Sequence, residues 1–399
     1  MMKWTSGLIA LAMMGAVGCA QSDAELEEEW VGASSAALGE TGAALTEGRR
    51  LFVHETFGGN GRTCQTCHSI ATGTLTLAQI DHLYRTHPDD ELFQHDALDD
   101  DGVGVSRIRS EGTIRITLTL PWYVTNADDP GNRQITVFRG IPSTLNTPGL
   151  DPALMYDLRN PTLEDQALGA INAHAVATVA PTPEQLGLIA DFQQIAPRFY
   201  SSFELFRFSR GGPAPTLPPG RTASERRGRR MFVDAPFNPP SRDGICALCH
   251  SGPMLNLTNE HGAAIFPAPV GTRFHPLFIS DPAHGTNHLN RHVYNLLVDD
   301  GLGNIVPVAT TDPGVLLNEA VLPPPFILPR NTFAGFFKTP QLWGVEDTSP
   351  YFHDNSAADL RAVLDQYEVF FRDDPFIGGQ ITLTEQDKQD AIAYLRLLR

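Results

Sequence analysis

Two pentapeptides, Cys64-Gln65-Thr66-Cys67-His68 and Cys246-Ala247-Leu248-Cys249-His250, put four of the chain's five cysteines into one C-x-x-C-H spacing. Two thiols three residues apart with a following His suit a particular chemistry. The thiols add to the two vinyl groups of a haem, and the imidazole ligates the iron from one side. The same letters are compatible with a zinc half-site, a thioredoxin-like redox pair or two small disulfides. A zinc site needs the two pairs close in space, and a thioredoxin-like pair needs a βαβ pattern around it; neither is indicated. Two copies in an exported chain read as a di-haem c-type cytochrome, with Cys64, Cys67, Cys246 and Cys249 holding two covalently attached haem c groups. His68 and His250 are then the proximal iron ligands.

Export is read from the first residues. A single Lys3 precedes an apolar run from Trp4 to Val17, too short to span a bilayer comfortably and followed by small residues, the pattern of a secretory signal peptide. Ala16-Val17-Gly18 before Cys19 is similar to a lipoprotein cleavage site, with Ala where Leu is usual. Cys19 is therefore expected to be the lipidated N-terminus, residues 1–18 the removed signal, and the mature protein an outer-membrane lipoprotein facing the periplasm. No later apolar run is long enough to span. The net charge of −17 argues against a nucleic-acid partner and fits a solvated acidic surface or a basic partner.

Positioning the two motifs calls for helices. The fold class read here is mainly α, with two cytochrome-c-like haem domains in tandem and a small β-hairpin insertion in the first. Residues 19–46 are acidic and rich in Ala, Gly and Ser, and read as a flexible tether. An N-terminal domain spans 47–206, a Gly- and Pro-dense linker 207–222, and a C-terminal domain 223–399. Helices are expected over Leu163–His174, Pro183–Phe203, Ala358–Phe371 and Thr384–Leu398. The alternation in Gly112–Val124, with Gln134–Phe138, predicts the hairpin. An internal repeat is visible in order: after each motif come a Pro, a Leu, an aromatic or near-aromatic residue with Asp, and then a Leu opening a helix. Asp157 and Asp354 occupy matching places in it. The run Asp96–Gly104 has the acid spacing of a calcium loop without its distal Glu.

The occupant of the second axial position decides what a c-type haem does. Of seven methionines, four lie in the leader, and Met254 is the one that follows the second motif, only four residues past His250. Met254 is badly placed for the opposite haem face. His82, His87 and His95 are held as distal candidates for the first haem. His261, His275, His284, His288 and His292 read as solvated loop residues.

The opening LFVHETFGGNGRTCQTCH, the stretch LMYDLRNPTLEDQALG and the stretch FKTPQLWGVEDTSPYFHDNSAADLRAVLDQY resemble the bacterial di-haem cytochrome c peroxidase/MauG superfamily, over roughly residues 47–399. The resemblance implies two cytochrome-c-like domains that exchange electrons across an interface. It makes His68 the ligand of the catalytic haem and His250 that of the electron-transfer haem. It implies hydrogen peroxide as substrate, a small redox protein or a protein substrate as partner, Ca2+ at the domain interface, and allows a homodimer. The sixth ligand of the second haem falls fourteen residues past His353, at Tyr367, which is otherwise a buried helix Tyr that packs.

Two departures from the family pattern stand out. The family's Trp-Asp-x-Arg is Tyr156, Asp157 and Arg159 here, with Gln166 kept ten residues beyond the Trp position. Ten further, the Glu that serves as acid–base is Val176, which transfers no proton. His174, two residues away, has the pKa range to replace it, or to ligate the first haem, or merely to sit at the surface. Tyr156 is oxidisable, like the family's Trp. Three readings of function stay open: a di-haem peroxidase-type oxidoreductase, a non-enzymatic di-haem electron carrier, and an oxygen-dependent di-haem oxygenase.

Overall fold

The computed structural model describes residues 39–69, 72–284, 289–325 and 327–399. The signal segment, Cys19 and most of the expected tether lie outside the described residues. In chain order the first half contains helices α1 (Gly39–His54), α2 (Cys64–Cys67), α3 (Leu77–Thr86), α4 (Ser106–Glu111), α5 (Thr147–Leu150), α6 (Leu163–Ala173), α7 (Pro183–Ile195) and α8 (Phe203–Ser209). The second half contains α9 (Ala223–Met231), α10 (Glu260–Ile265), α11 (Leu360–Asp373) and α12 (Glu385–Leu395). Among the described residues no helix is long and apolar enough to cross a membrane.

Each C-x-x-C-H motif is approached by a helix with nearly the same letters: Gly48-Arg49-Arg50-Leu51-Phe52 in α1, and Gly228-Arg229-Arg230-Met231 ending α9 with Phe232 just past it. The glycine is there for a crossing. A Cβ on Gly48 would collide with Leu188 O of α7 and lie 2.8 Å from Phe192 Cβ. On Gly228 it would collide with Asp390 O of α12 and lie 2.7 Å from Tyr394 Cβ. Two backbones therefore touch where any side chain would part them, and the Leu or Met three residues on is buried beneath the crossing. Gly48→Ala and Gly228→Ala are each expected to cost about 1–3 kcal/mol, the range for overpacking a close contact. Thermal melts of the haem-loaded variants check this; an unmoved midpoint would mean that the helices do not meet there.

Several boundaries differ from the sequence expectation for local reasons. Helix α1 starts at Gly39, not near Glu47, and Leu45 packs against the core. The long helix expected from Pro183 to Phe203 breaks after Ile195. Pro197 has no N–H to donate and holds Ala196 extended (ψ 125°), so α8 starts afresh at Phe203 behind its own cap, Ser202. Helix α11 begins at Leu360 because Asp359 caps it, accepting from Ala362 N at 2.9 Å. The Gly- and Pro-dense stretch begins only after α8, and Pro218 O accepts from Tyr394 Oη at 3.1 Å.

The β structure corrects the insertion as read from sequence. Strands β1 (Thr113–Thr119) and β3 (Gln134–Gly140) pair antiparallel from Thr113↔Gly140 to Thr119↔Gln134, as a hairpin should. Between them, however, β2 (Val124–Asn126) leaves to pair with β5 (Tyr294–Asp299), Val124 against Val298, and β5 pairs in turn with β6 (Ile305–Thr310). A further pair joins β4 (Phe274–Pro276) to β7 (Phe336–Lys338). The insertion of the first half thus shares a sheet with the second. Apolar packing does not divide at the linker either: one cluster contains Leu51, Phe192 and Phe199 together with Met231, Trp343, Phe370 and Leu398.

Candidate functional site

The two motifs are built alike. The first sits on the single turn α2 and the second on consecutive turns, but in both the His N–H donates to the first Cys carbonyl. Each His turns its Nδ1 to a backbone carbonyl five residues on: His68 to Gly73 O and His250 to Leu255 O, both at 2.8 Å. A carbonyl only accepts, so the proton is on Nδ1 and the lone pair is on Nε2, the tautomer a metal-ligating imidazole needs. Both carbonyl-bearing residues are left-handed, Gly73 at φ 66° and Leu255 at φ 54°. Gly73 has reason to be Gly, since a Cβ there would lie 2.6 Å from Leu145 N. Burial keeps both imidazoles neutral, with His250 lowered to about 4.

What faces Nε2 differs between the sites. Tyr367 Oη lies 3.1 Å from His250 Nε2, so the phenol stands on the axis of the second motif. Among the described residues no side chain is placed on His68 Nε2. Instead His68 opens onto a cavity of about 310 Å³ whose wall also includes Gln166, Tyr156, His353, Phe337, His250 and Tyr367.

Covalently attached haem fits this donor set. All four thiols are free of disulfides, and burial raises their pKa, to about 12 for Cys64 and Cys246 and about 11 for Cys67.

 Raised thiol pKa values are the reverse of what a redox-active pair requires. Among the described residues no group of three or more His, Cys, Asp or Glu side chains is gathered as a metal site. The cavity wall also carries two buried polar atoms without a hydrogen-bond partner, Thr339 Oγ1 and Gln341 Oε1, ready for a polar edge of a large apolar group.

On the first side, Gln166 lines the cavity with His68, whereas Val176 does not: it is 44% exposed, at φ 51°. His174 ends α6 with Nδ1 2.5 Å from Asp96 Oδ2. His82 and His87 are exposed, and exposed His95 places Nε2 3.0 Å from Ala173 O. None of these three lines the cavity, and His174 stands beside it against the loop of Asn60 and Arg62, not on its wall. The expected calcium loop is a turn and cap instead: Asp99 accepts from Ser106 N and Arg107 N, and Asp101 from Val103 N and Gly104 N.

Between the motifs the sequence repeat becomes a structural one. Leu154 bridges Asn160 and Tyr351 bridges Ala357, each across a loop with left-handed second and fifth residues, Met155 and Leu158 in one, Phe352 and Asn355 in the other. Tyr156 and His353 are therefore equivalent, and they meet edge to face with centroids 6.4 Å apart. Phe337 stacks on His353 at 3.6 Å. Beneath them Arg139, from β3, holds Asp157 at 2.7 Å and Asp312 at 2.7 and 2.9 Å, and Arg159 adds a 3.0 Å bond to Asp157. The inserted hairpin thus pins both halves at the site. Burial alone would raise the pKa of both carboxyls, but Arg139 outweighs it and holds them below the ordinary 3.8.

Groups with lowered pKa stabilise the fold above their unfolded pKa and lose that contribution as pH falls through the folded value. Arg139→Leu leaves buried Asp312 without its arginine and Asp157 with Arg159 alone, and a loss of about 3–5 kcal/mol at neutral pH is expected. Desolvation then raises the Asp312 pKa, so acidification towards pH 5 should recover part of the loss, whereas the parent's two carboxyls, held below 3.8, contribute equally at both pH values. Denaturant titrations at pH 7 and pH 5 read this directly.

Sequence reading missed three participants. His275, which the sequence suggests as a solvated loop residue, is half-buried in β4 beside Phe266, with Nε2 2.7 Å from Thr258 Oγ1, and it lines the same cavity as His250. The other loop histidines are nearer to that expectation: His261 and His284 are partly exposed beside acidic residues, and His288 lies outside the described residues. The second is Asp96, and the third is His353 itself.

No family model matches the sequence, and no curated protein matches it. Among solved structures, the chain is similar to a MauG-like protein associated with microbial copper homeostasis, at 18% identity over 89% of each chain with a TM-score of 0.48. It is similar also to the diheme peroxidase BthA from Burkholderia thailandensis E264, at 16% identity over 89% of this chain and 86% of that one, with a TM-score of 0.46. These are likenesses in the course of the chain; the chemistry rests on the residues themselves.

Proposed function

We propose that this chain is a di-haem c-type oxidoreductase that reacts with hydrogen peroxide at the Cys64–His68 site and relays electrons through the Cys246–His250 site. The observation that carries the reading is the asymmetry of the two motifs. Tyr367 stands on the axis of His250, while His68 faces open space lined by Gln166. A closed site suits electron transfer, and an open one suits a small oxidant.

Haem bound at the first motif supplies the iron chemistry that cleaves the peroxide O–O bond. The chain's own residues bind, orient and move protons. His68 is fixed by Gly73, Gln166 offers an amide to a bound oxygen species, and Tyr156, His353 and Phe337 give an aromatic wall between the two sites. Arg159 and Arg139 neutralise Asp157 beneath that wall. The electrons come from a small redox protein or from a protein being oxidised, and the work is done at a periplasm-facing lipid anchor, a reading supported by the apolar run from Trp4 to Val17 and by Cys19.

Low-temperature EPR of the oxidised protein, before and after hydrogen peroxide, tests the reading. A high-spin signal that disappears with peroxide is expected. Two low-spin signals unmoved by peroxide, even after half-reduction, would leave a di-haem electron carrier, the role that Val176 at the family's acid–base position favours.

A further inference from the structure

We propose that Asp96 is the positioning residue for His174, and that this pair, braced by Arg62, is the proton-transfer group of the first site. The proposal deepens the peroxide reading and rests on it for the identity of the natural oxidant.

His174 is clamped through both backbone and ring. Its carbonyl accepts from Asn60 Nδ2 at 2.9 Å and its N–H donates to Ala170 O at 2.9 Å. Its Nδ1 lies 2.5 Å from Asp96 Oδ2. Asp96 is buried and its pKa is held below the ordinary value, by His174 and Arg62 against the cost of burial, so the carboxylate accepts and Nδ1 carries the proton. That leaves the lone pair on Nε2, for which no partner is placed among the described residues. The ring is about a quarter exposed, while Asp96 and Arg62 are buried.

The other carboxylate oxygen, Oδ1, is 2.5 Å from Arg62 Nη1. Arg62 also holds Glu91 O at 2.8 Å, Leu92 O at 2.9 Å and Gln94 O at 2.5 Å, so one guanidinium fixes the whole turn that presents Asp96. Arg62 stands two residues before Cys64, which ties the pair to the first motif and to no other. Arg62 Nη1 also lies 3.4 Å from His174 O, so the loop that leads into Cys64 holds both members of the pair. Neutralising Arg62 would need one oxygen of Asp96; the second is spent on orienting an imidazole.

The step assigned to the pair is one proton transfer. A neutral acid, hydrogen peroxide or hydrogen cyanide, gives its proton to His174 Nε2 as its anion binds at the first haem. Nδ1 keeps its proton on Asp96, whose charge balances the imidazolium. Nothing is oxidised or reduced in this step.

Cyanide binding to the oxidised holoprotein isolates it, because hydrogen cyanide must lose a proton to bind and no turnover is involved. Stopped-flow association rates would be compared for the parent protein, Asp96→Asn, His174→Gln and the double variant. Each single change is expected to slow association about 100-fold, the scale of a lost general base. The double variant should be no slower than His174→Gln alone, since the two act as a unit. Asp96→Glu, which keeps the carboxylate, should retain most of the rate; Asp96→Ser replaces Asp96→Asn if the latter does not load haem.

Slowing by Asp96→Asn that persists in the His174→Gln background would overturn the pair. Faster cyanide binding in His174→Gln would overturn it too, by making His174 a ligand that closes the first haem. A parent protein that takes cyanide rapidly through the pair yet ignores peroxide would keep the pair and remove the peroxide function. Peroxide reduction with an unchanged cyanide rate in Asp96→Asn would do the reverse.

Discussion

Replacing Cys64 and Cys67 together by Ala is expected to halve the covalent haem content, from two groups per chain to one, and to abolish the reaction with hydrogen peroxide. The same change at Cys246 and Cys249 should also leave one haem, but with a different loss. The first site would still react once with peroxide, while turnover with an electron donor would stop. The distinction follows from the geometry: the open face belongs to His68 and the phenol-capped face to His250. Stability should fall in both variants, because the motifs share one cavity walled by core residues such as Leu342, Leu364 and Phe371. Leaving part of such a space without its covalent occupant costs several kcal/mol at the usual price of a core void. A haemochrome assay of each purified variant, followed by peroxide addition, reads both parts. Equal peroxide reactivity in the two double variants would show that the sites are not specialised and would sink the division of labour proposed here.

How much of this was legible in the sequence depends on the range of the contact. The motifs, the cap Thr384 and the helix α6 are set within a few residues, and local letters suffice for them. The Gly-Arg-Arg openings were visible as letters, but their reason was not, since Gly48 answers to Leu188 and Gly228 to Asp390, far along the chain. Tyr367 is reached through the family resemblance alone, which puts the sixth ligand fourteen residues past His353; its own surroundings in sequence read only as a packed helix residue. Asp96 was not legible. Its partner His174 is 78 residues away, and its own neighbourhood mimics a calcium loop whose other acids cap a helix and close a turn. The pairing of β2 with β5 hides for a related reason: three residues carry too little periodicity to announce a strand, and the partner lies beyond the linker. His275 falls among the loop histidines although Phe274, Leu277 and Phe278 flank it in sequence; that apolar run was the signal for a packed residue, and in space Phe266 and Thr258 meet its ring.

Tyr367→Phe is expected to open the second site. The change keeps the ring, and with it the contacts to Phe370 and Phe371, so the fold should tolerate it with little loss. What disappears is the hydroxyl 3.1 Å from His250 Nε2. Burial pushes the phenol's pKa upward, so it stays protonated unless a cation lies on the axis it shares with His250. Iron bound there is such a cation and would hold the oxygen as phenolate, as metal ions do with other weak acids. An anionic ligand favours the ferric over the ferrous state. Its removal should raise the midpoint potential of the second haem by at least about 60 mV, a tenfold change for one electron. A new high-spin EPR signal and a second peroxide-reactive haem should accompany the shift. Redox titration of the variant with EPR at each end decides the matter. If potential and spectrum are unchanged, Tyr367 is a packing residue of α11, and the closed character of the second site must come from another side chain on the cavity wall, with His275 the first to be replaced in the next variant.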